Sequence, residues 1–232
     1  MQLHIFTRNN STTIMKIAVL GTGSVGQTVG SKWVALGHQV FMGSRTPDNE
    51  KAKAFAEANP GKAFAGTFAQ AAQFGEILVN CTAGLGSVEA LQMAGNQNLN
   101  GKILIDLSNP LDFSKGMPPT LSVVNTQSLA EVIQEAFPEL HVVKTLNTMW
   151  AGLMVQPDLV NGGDHNVFIS GNNPEAKSQV KELLVEMGWW EQNIMDLGDI
   201  STARGTEMYL PLWLRMYGVT KTGAFNIKIV KA

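Results

Sequence analysis

The feature that most limits what this chain can become is a run near its start. Ile17-Ala18-Val19-Leu20 is short and wholly apolar, and Gly21-Thr22-Gly23-Ser24-Val25-Gly26 follows at once. Val25, Val29, Trp33 and Leu36 then recur at helical spacing, and Gly37 is a natural stop. The apolar run suits a strand buried on both faces. The glycines stand where a tight turn (Gly21), a close backbone approach to a pyrophosphate (Gly23) and tight helix–strand packing (Gly26) each demand one. The N–H groups that open the helix then point at the phosphates. A glycine-rich turn without a ligand is the plainer alternative, and the agreement of strand, spacing and helix speaks against it.

The rest of the chain repeats the alternation. Strands are expected at residues 39–42, 63–65, 76–81, 102–107, 141–146 and 167–170, with a final one at 193–197. Helices are expected at 51–59, ended by Pro60-Gly61, and at 128–137, ended by Pro138. A further helix is capped by Asn173 with Pro174 at its first position, and residues 202–217 read as helix interrupted by Pro211. Strands alternating with helices build a parallel sheet through right-handed crossovers. The expected class is therefore α/β: a Rossmann-like, doubly wound, mostly parallel sheet. Residues 1–14 read as a polar tail, 15–150 as the dinucleotide-binding domain, and 151–232 as a small C-terminal α/β domain that completes the cleft.

Composition removes several function classes. Hydrophobic residues make up 44% of the 232 and charged ones 16%, enough for a sizeable core. A formal net charge of -2 gives no general attraction for nucleic acid or an anionic membrane surface. No apolar run reaches the roughly 18 residues that span a bilayer. The single cysteine, Cys81, excludes a disulfide framework within the chain and a cysteine-based metal cluster, and fits a reducing compartment. The first 14 residues lack the apolar stretch of an export signal, so the expected location is the cytoplasm.

The cofactor is chosen after the second strand. An NAD-binding unit usually carries an Asp or Glu there, which bonds the ribose hydroxyls. Here that place holds Gly43-Ser44-Arg45-Thr46, and no acid appears until Asp48. Arg45 suits a bidentate contact with a 2′-phosphate, with Ser44 and Thr46 as hydroxyl donors. The expected cofactor is NADP(H).

Ligands in such folds lie outside the carboxyl ends of the strands. Those ends are Cys81-Thr82-Ala83, Ser108-Asn109 and Asn147-Thr148-Met149-Trp150. Cys81, Thr82 and Ala83 are expected beside the nicotinamide ribose, with Cys81 as packing rather than as a nucleophile. Asn109 is expected at the cofactor, where it and Asn147 offer amide groups to polar ring edges. Asn147, Met149, Trp150 and Met154 are expected to form the substrate wall, with ordinary core packing as the alternative. His38 and His141 lie at the starts of strands and His165 just before one, all expected away from the carboxyl ends where a ligand sits, and read as structural or exposed; no metal spacing and no nucleophile elbow appear. Asp106 is a lone carboxylate, which is not a motif.

The opening stretch, MKIAVLGTGSVGQTVGSKWVALGHQVFMGSRTPD, resembles that of the NADP-dependent coenzyme F420 oxidoreductase family. VVKTLNTMWAGLMVQP, NVFISGNNPEAKSQVKELLVEMGW and TARGTEMYLPLWLRMYGVTKTGAFNIKI resemble later segments of the same family, in the same order. The resemblance implies a Rossmann domain with a small C-terminal domain, usually dimeric, and NADP(H) as one hydride carrier. It assigns residues 21–26 to the phosphate loop, Ser44 and Arg45 to the 2′-phosphate, and the stretch at Asn147 to the wall where nicotinamide and acceptor meet. Archaeal F420-reducing members carry His in place of Asn147, and Ile-Pro in place of Met149-Trp150. The family also includes the cytosolic reductase domain of metalloreductases. The acceptor is therefore expected to be a small molecule, a flavin or the deazaflavin F420, as second hydride carrier. A reductase of a small carbonyl or imine, and a non-catalytic NADP(H)-binding regulator, stay open as alternatives. Residues 206–217 hold more apolar surface than one helix face can bury, which leads us to expect a homodimer.

Overall fold

The computed structural model describes residues 13–232, so most of the polar tail expected over 1–14 lies outside the described residues. The strands are β1 (Lys16–Leu20), β2 (Gln39–Ser44), β3 (Ala63–Thr67), β4 (Ile77–Asn80), β5 (Ile103–Asp106), a short hairpin of β6 (Leu111–Asp112) and β7 (Thr120–Leu121), then β8 (His141–Thr145), β9 (Val167–Gly171) and β10 (Ile194–Asp196). The helices are α1 (Ser24–Ala35), α2 (Glu50–Ala58), α3 (Phe68–Phe74), α4 (Ser87–Ala94), α5 (Asn96–Leu99), α6 (Leu129–Ala136), α7 (Ala151–Val155), α8 (Pro174–Met187), α9 (Ala203–Met208) and α10 (Leu210–Thr220). One sheet runs in the order β10-β9-β8-β5-β4-β1-β2-β3. Every neighbouring pair in it is parallel except β8 and β9.

The strand sequences are apolar because both sheet faces are covered. Ile17, Val19, Ile77, Val79, Ile103, Ile105 and Val143 pack into one core. Their neighbours Ala18, Leu20, Leu78, Leu104 and Val142 pack into the other. This is the two-residue alternation of a strand, with a core on each side. Trp33 of α1 and Val180, Leu183 and Met187 of α8 fill the first core. Leu91 of α4 and Ile133 of α6 fill the second.

Residues 151–232 extend this same sheet by two strands, then return through α9 and α10. The tail after α10 runs past the end of β8: a Cβ on Gly223 would sit 2.7 Å from Trp150 Cβ. Asn226 then bonds the Asn166 carbonyl at 2.8 Å.

The helices follow local signals. Asn173 accepts from the Ala176 N–H, Pro174 opens α8, and Gly188 ends it at φ +114°. Ser128 and Glu131 form a capping box at α6. Residues 202–217, expected as one interrupted helix, divide into α9 and α10 with Pro211 in the first turn of α10. Among the described residues no helix is long and apolar enough to cross a membrane.

Candidate cofactor and substrate cleft

The chain leaves β1 for β2 and β3 on one side, then returns to β4 on the other. Such a switch point opens a crevice at the carboxyl ends of the strands. The loop 21–26 sits in it. Gly21 has φ +117°, and a Cβ there would meet the Cys81 carbonyl at 2.7 Å. A Cβ on Gly26 would meet the Gly21 carbonyl at 2.1 Å. Both glycines are thus demanded by backbone packing. Gly23 differs, since a Cβ there would meet nothing within 4 Å. It faces open space at the head of α1, whose first turn carries no side-chain cap and no acid. Unpaired N–H groups around an open cradle suit a pyrophosphate. Thr22 and Val25 are half-buried, Gly23 and Ser24 exposed.

At the end of β2, Arg45 and Thr46 are exposed, whereas Ser44 is buried. Ser44 Oγ donates to the Thr46 carbonyl at 2.6 Å, so it shapes the loop that presents Arg45. Arg45 reaches over Gly86 to Glu89 on α4, at 3.7 Å. Both side chains are about two-thirds exposed (66% and 63%), so this pair is weak and leaves the guanidinium available to an anion.

Cys81 packs against the core, and burial pushes its thiol pKa up, with Asp106 adding to the rise. Thr82 Oγ1 donates to Asn80 Oδ1 at 2.7 Å, while Ala83 is exposed. Asn109 and Asn147 were expected to offer their amides to a ring, and here they hold each other. Asn109 Nδ2 donates to the Asn147 carbonyl and Asn147 Nδ2 to Asn109 Oδ1, both at 2.9 Å. Leu146 makes this clasp possible by turning at φ +59°, a strained conformation for a non-glycine residue.

The expected substrate wall divides. Met149 and Met154 are buried in the core, and only Trp150 is exposed, at 45%. A Cβ on Gly152 or on Gly223 would collide with Trp150. Two glycines therefore make room for its side chain beside α7 and the C-terminal tail. Leu85, after β4, and Phe113 and Met117, between β6 and β7, are further exposed apolar side chains.

The antiparallel turn into β9 alters one expectation. It brings His165 to the cleft end of the sheet rather than the opposite end. His165 is nevertheless buried, with Nε2 2.7 Å from the Pro157 carbonyl and Nδ1 2.7 Å from Asn226 Nδ2. His38 is likewise buried between the Met15 N–H and Glu186.

Sequence reasoning missed a charge cluster just beneath the cleft. Lys144 Nζ lies 2.8 Å from both Asp106 Oδ2 and Glu207 Oε1, and donates to the Ser108 carbonyl at 2.6 Å. Burial opposes its charge, but the two carboxylates outweigh that and hold its pKa above the ordinary value.

The family model for coenzyme F420-dependent NADP oxidoreductases matches residues 16–110. A crystal structure of a provisional F420-dependent NADP-reductase from Arthrobacter sp. FB24 is 50% identical, with a TM-score of 0.89, over 94% of this chain and 100% of that one. This chain belongs to the NADP-dependent coenzyme F420 oxidoreductase family. It is therefore an NADP-dependent oxidoreductase with a Rossmann-like fold. It is also 30% identical to rat (Rattus norvegicus) metalloreductase STEAP3 over 204 residues, 85% of this chain, and spans 38% of that protein's length. A reductive aminase from Aspergillus terreus in complex with NADPH shares the fold at a TM-score of 0.61 and 20% identity, over 90% of this chain and 63% of that one. NADP(H) fits the residues present, because Gly23 leaves the cradle open and Arg45, at the end of β2, is exposed and only weakly paired.

Proposed function

We propose that this protein transfers a hydride between NADPH and a planar ring acceptor, a flavin or a deazaflavin. Bound NADPH supplies the hydride; the chain binds, orients and shields. The backbone of residues 21–26 takes the pyrophosphate, Arg45 and Thr46 take the 2′-phosphate, and Ser44 shapes their loop. Thr82, Ala83 and Asn109 border the nicotinamide ribose. The observation that carries the acceptor reading is Trp150, an exposed indole laid between two glycines at the end of β8. A flat aromatic face suits stacking with a ring. Transfer between stacked rings needs closeness and alignment, with atoms about 3–3.5 Å apart, rather than a proton donor. The ring nitrogens of His38 and His165 are already occupied. A carbonyl or imine reductase would need a donor at the cleft. The named activity of the Arthrobacter relative, F420-dependent NADP reduction, supports an acceptor of this class.

The test is a screen with NADPH and purified protein against F420, FMN, FAD, ferric citrate, ketones and cyclic imines. We expect turnover with the ring acceptors. Turnover confined to ketones or imines would overturn the reading.

We also propose a homodimer. Leu212, Tyr217 and Val219 of α10 are exposed, and α10 borders an apolar groove of about 620 Å³ with Phe225 and Ile227. The groove is walled by the same tail that packs on Trp150, and a second copy seated there would cover this apolar surface. Light scattering at micromolar concentration is expected to give twice the chain mass, and a monomer would refute this.

A further inference from the structure

Lys144, Asp106 and Glu207 sit where three cleft loops begin, and we propose that they are positioning residues for the nicotinamide half of the site. The proposal rests on the reading that lays the nicotinamide over the ends of β4, β5 and β8. Lys144 is 1% exposed and its three N–H groups meet three acceptors, Asp106, Glu207 and the Ser108 carbonyl. Asp106 Oδ1 also accepts from Asn80 Nδ2 at 2.9 Å, the Ser108 N–H at 3.1 Å and Ser108 Oγ at 2.7 Å. Asn80 passes the connection on. Its Oδ1 holds Thr82, and its Nδ2 donates to Ser87 Oγ at 3.1 Å. Glu207 closes the other side, accepting from the Leu129 and Ala130 N–H groups at 2.7 and 3.1 Å. Those amides open α6, whose positive end offsets the second carboxylate.

One ammonium, held on β8, thus bonds the loop after β5 and bridges through Asp106 and Asn80 to the loop after β4. Asn80 and Asp106 are the last residues of their strands, and Lys144 is the last but one of its own. The connections run outward to Thr82 on the first loop and Ser108 on the second, and Ser108 directly precedes Asn109, which clasps Asn147 on the third. Apolar side chains of the same volume usually stabilise a fold as well as buried ions do. Stability alone therefore does not account for three charges at this place. Among the described residues, none of the cluster's hydrogen bonds reaches residues 21–26 or 44–46. The cluster therefore governs one half of the cleft and leaves the phosphate half to its glycines.

The experiment compares NADPH with adenosine 2′,5′-bisphosphate, which lacks the nicotinamide half, and uses no acceptor. Calorimetry is run on the wild type, on Lys144→Met and Glu207→Gln, and on Arg204→Met. The last variant cuts the Arg204–Glu131 pair that braces α6 against α9 outside the cluster. Affinity for the bisphosphate should stay within about twofold throughout, while the cluster variants lose about tenfold for NADPH, 1.4 kcal/mol. Arg204→Met should keep the wild-type ratio even if it melts earlier. Lys144→Met risks unfolding, so a second measurement uses the wild type alone. NADPH should slow hydrogen exchange at the Ser108, Leu129 and Ala130 amides more than the bisphosphate does. Folded variants that keep the wild-type ratio, or equal protection by the two ligands, would overturn the proposal. A wild type that binds both ligands equally would remove the nicotinamide reading itself, and the proposal with it.

Discussion

The two halves of the cleft are built by opposite means. The proposed phosphate half is backbone: the neighbours of Gly21 and Gly26 leave no room for a Cβ, whereas Gly23 faces open space. Its charged side chain, Arg45, is exposed and loosely held. The nicotinamide half is side chain. Buried Asn80, Asp106, Lys144 and Glu207 bond one another, and the strand-end loops rest on them. A phosphate carries full charge and tolerates a flexible cation. A ring that must face another ring at a set distance needs rigid support. On this reading recognition of charge belongs to the first half and alignment to the second.

The contrast makes substitutions diverge. Lys144→Ala should be the most destabilising, by about 3–5 kcal/mol, because it leaves two carboxylates buried without their cation. Chemical denaturation would measure this. Gly26→Ala comes next: its Cβ strikes backbone, so NADPH binding should fall about a hundredfold, roughly 2.7 kcal/mol. Gly23→Ala sharpens the point, because open space leaves the melting temperature nearly unchanged while NADPH binding still weakens. If both glycine variants melt alike, the distinction between packing and cradle is lost. Arg45→Ala should weaken NADPH about tenfold, near 1.4 kcal/mol, and leave NADH almost untouched. Equal losses for both cofactors would contradict its assignment to the 2′-phosphate.

The smallest effect concerns acid. Arg204 holds the Glu131 carboxyl below its ordinary value, so this contribution to stability is complete above the ordinary carboxylate pKa of about 4.3. It is lost as pH falls through the lowered value. Melting temperatures of Arg204→Met should therefore approach those of the wild type as the pH is taken below 4.

The same contrast decides what the sequence discloses. The phosphate loop is contiguous, so spacing alone finds it, and the strands reveal themselves because both faces are apolar. Asp106 looked solitary because its partners lie on β8 and α9, brought near only by the sheet order and the returning tail. Met149 and Met154 looked like a wall because apolar residues after a strand read the same whether they face a ligand or the core. Trp150 faces outward because it precedes α7 at the N-cap, beyond the buried face. His165 was placed at the far end because nothing in the sequence marks β9 as antiparallel. Helix α3, which the pattern left unassigned, did carry a signal, the capping box of Thr67 and Gln70.

The central claim is direct hydride transfer to a ring, and isotope labelling reaches it most directly. NADPH deuterated stereospecifically at the nicotinamide C4 is incubated with the protein and oxidised F420, and the product is read by mass spectrometry. The account predicts label from one C4 face only, retained on the deazaflavin carbon of the reduced product. Reduced F420 without label from either C4 isotopomer, or no reduction of F420 or flavins beside brisk labelling of a ketone or imine, would contradict it.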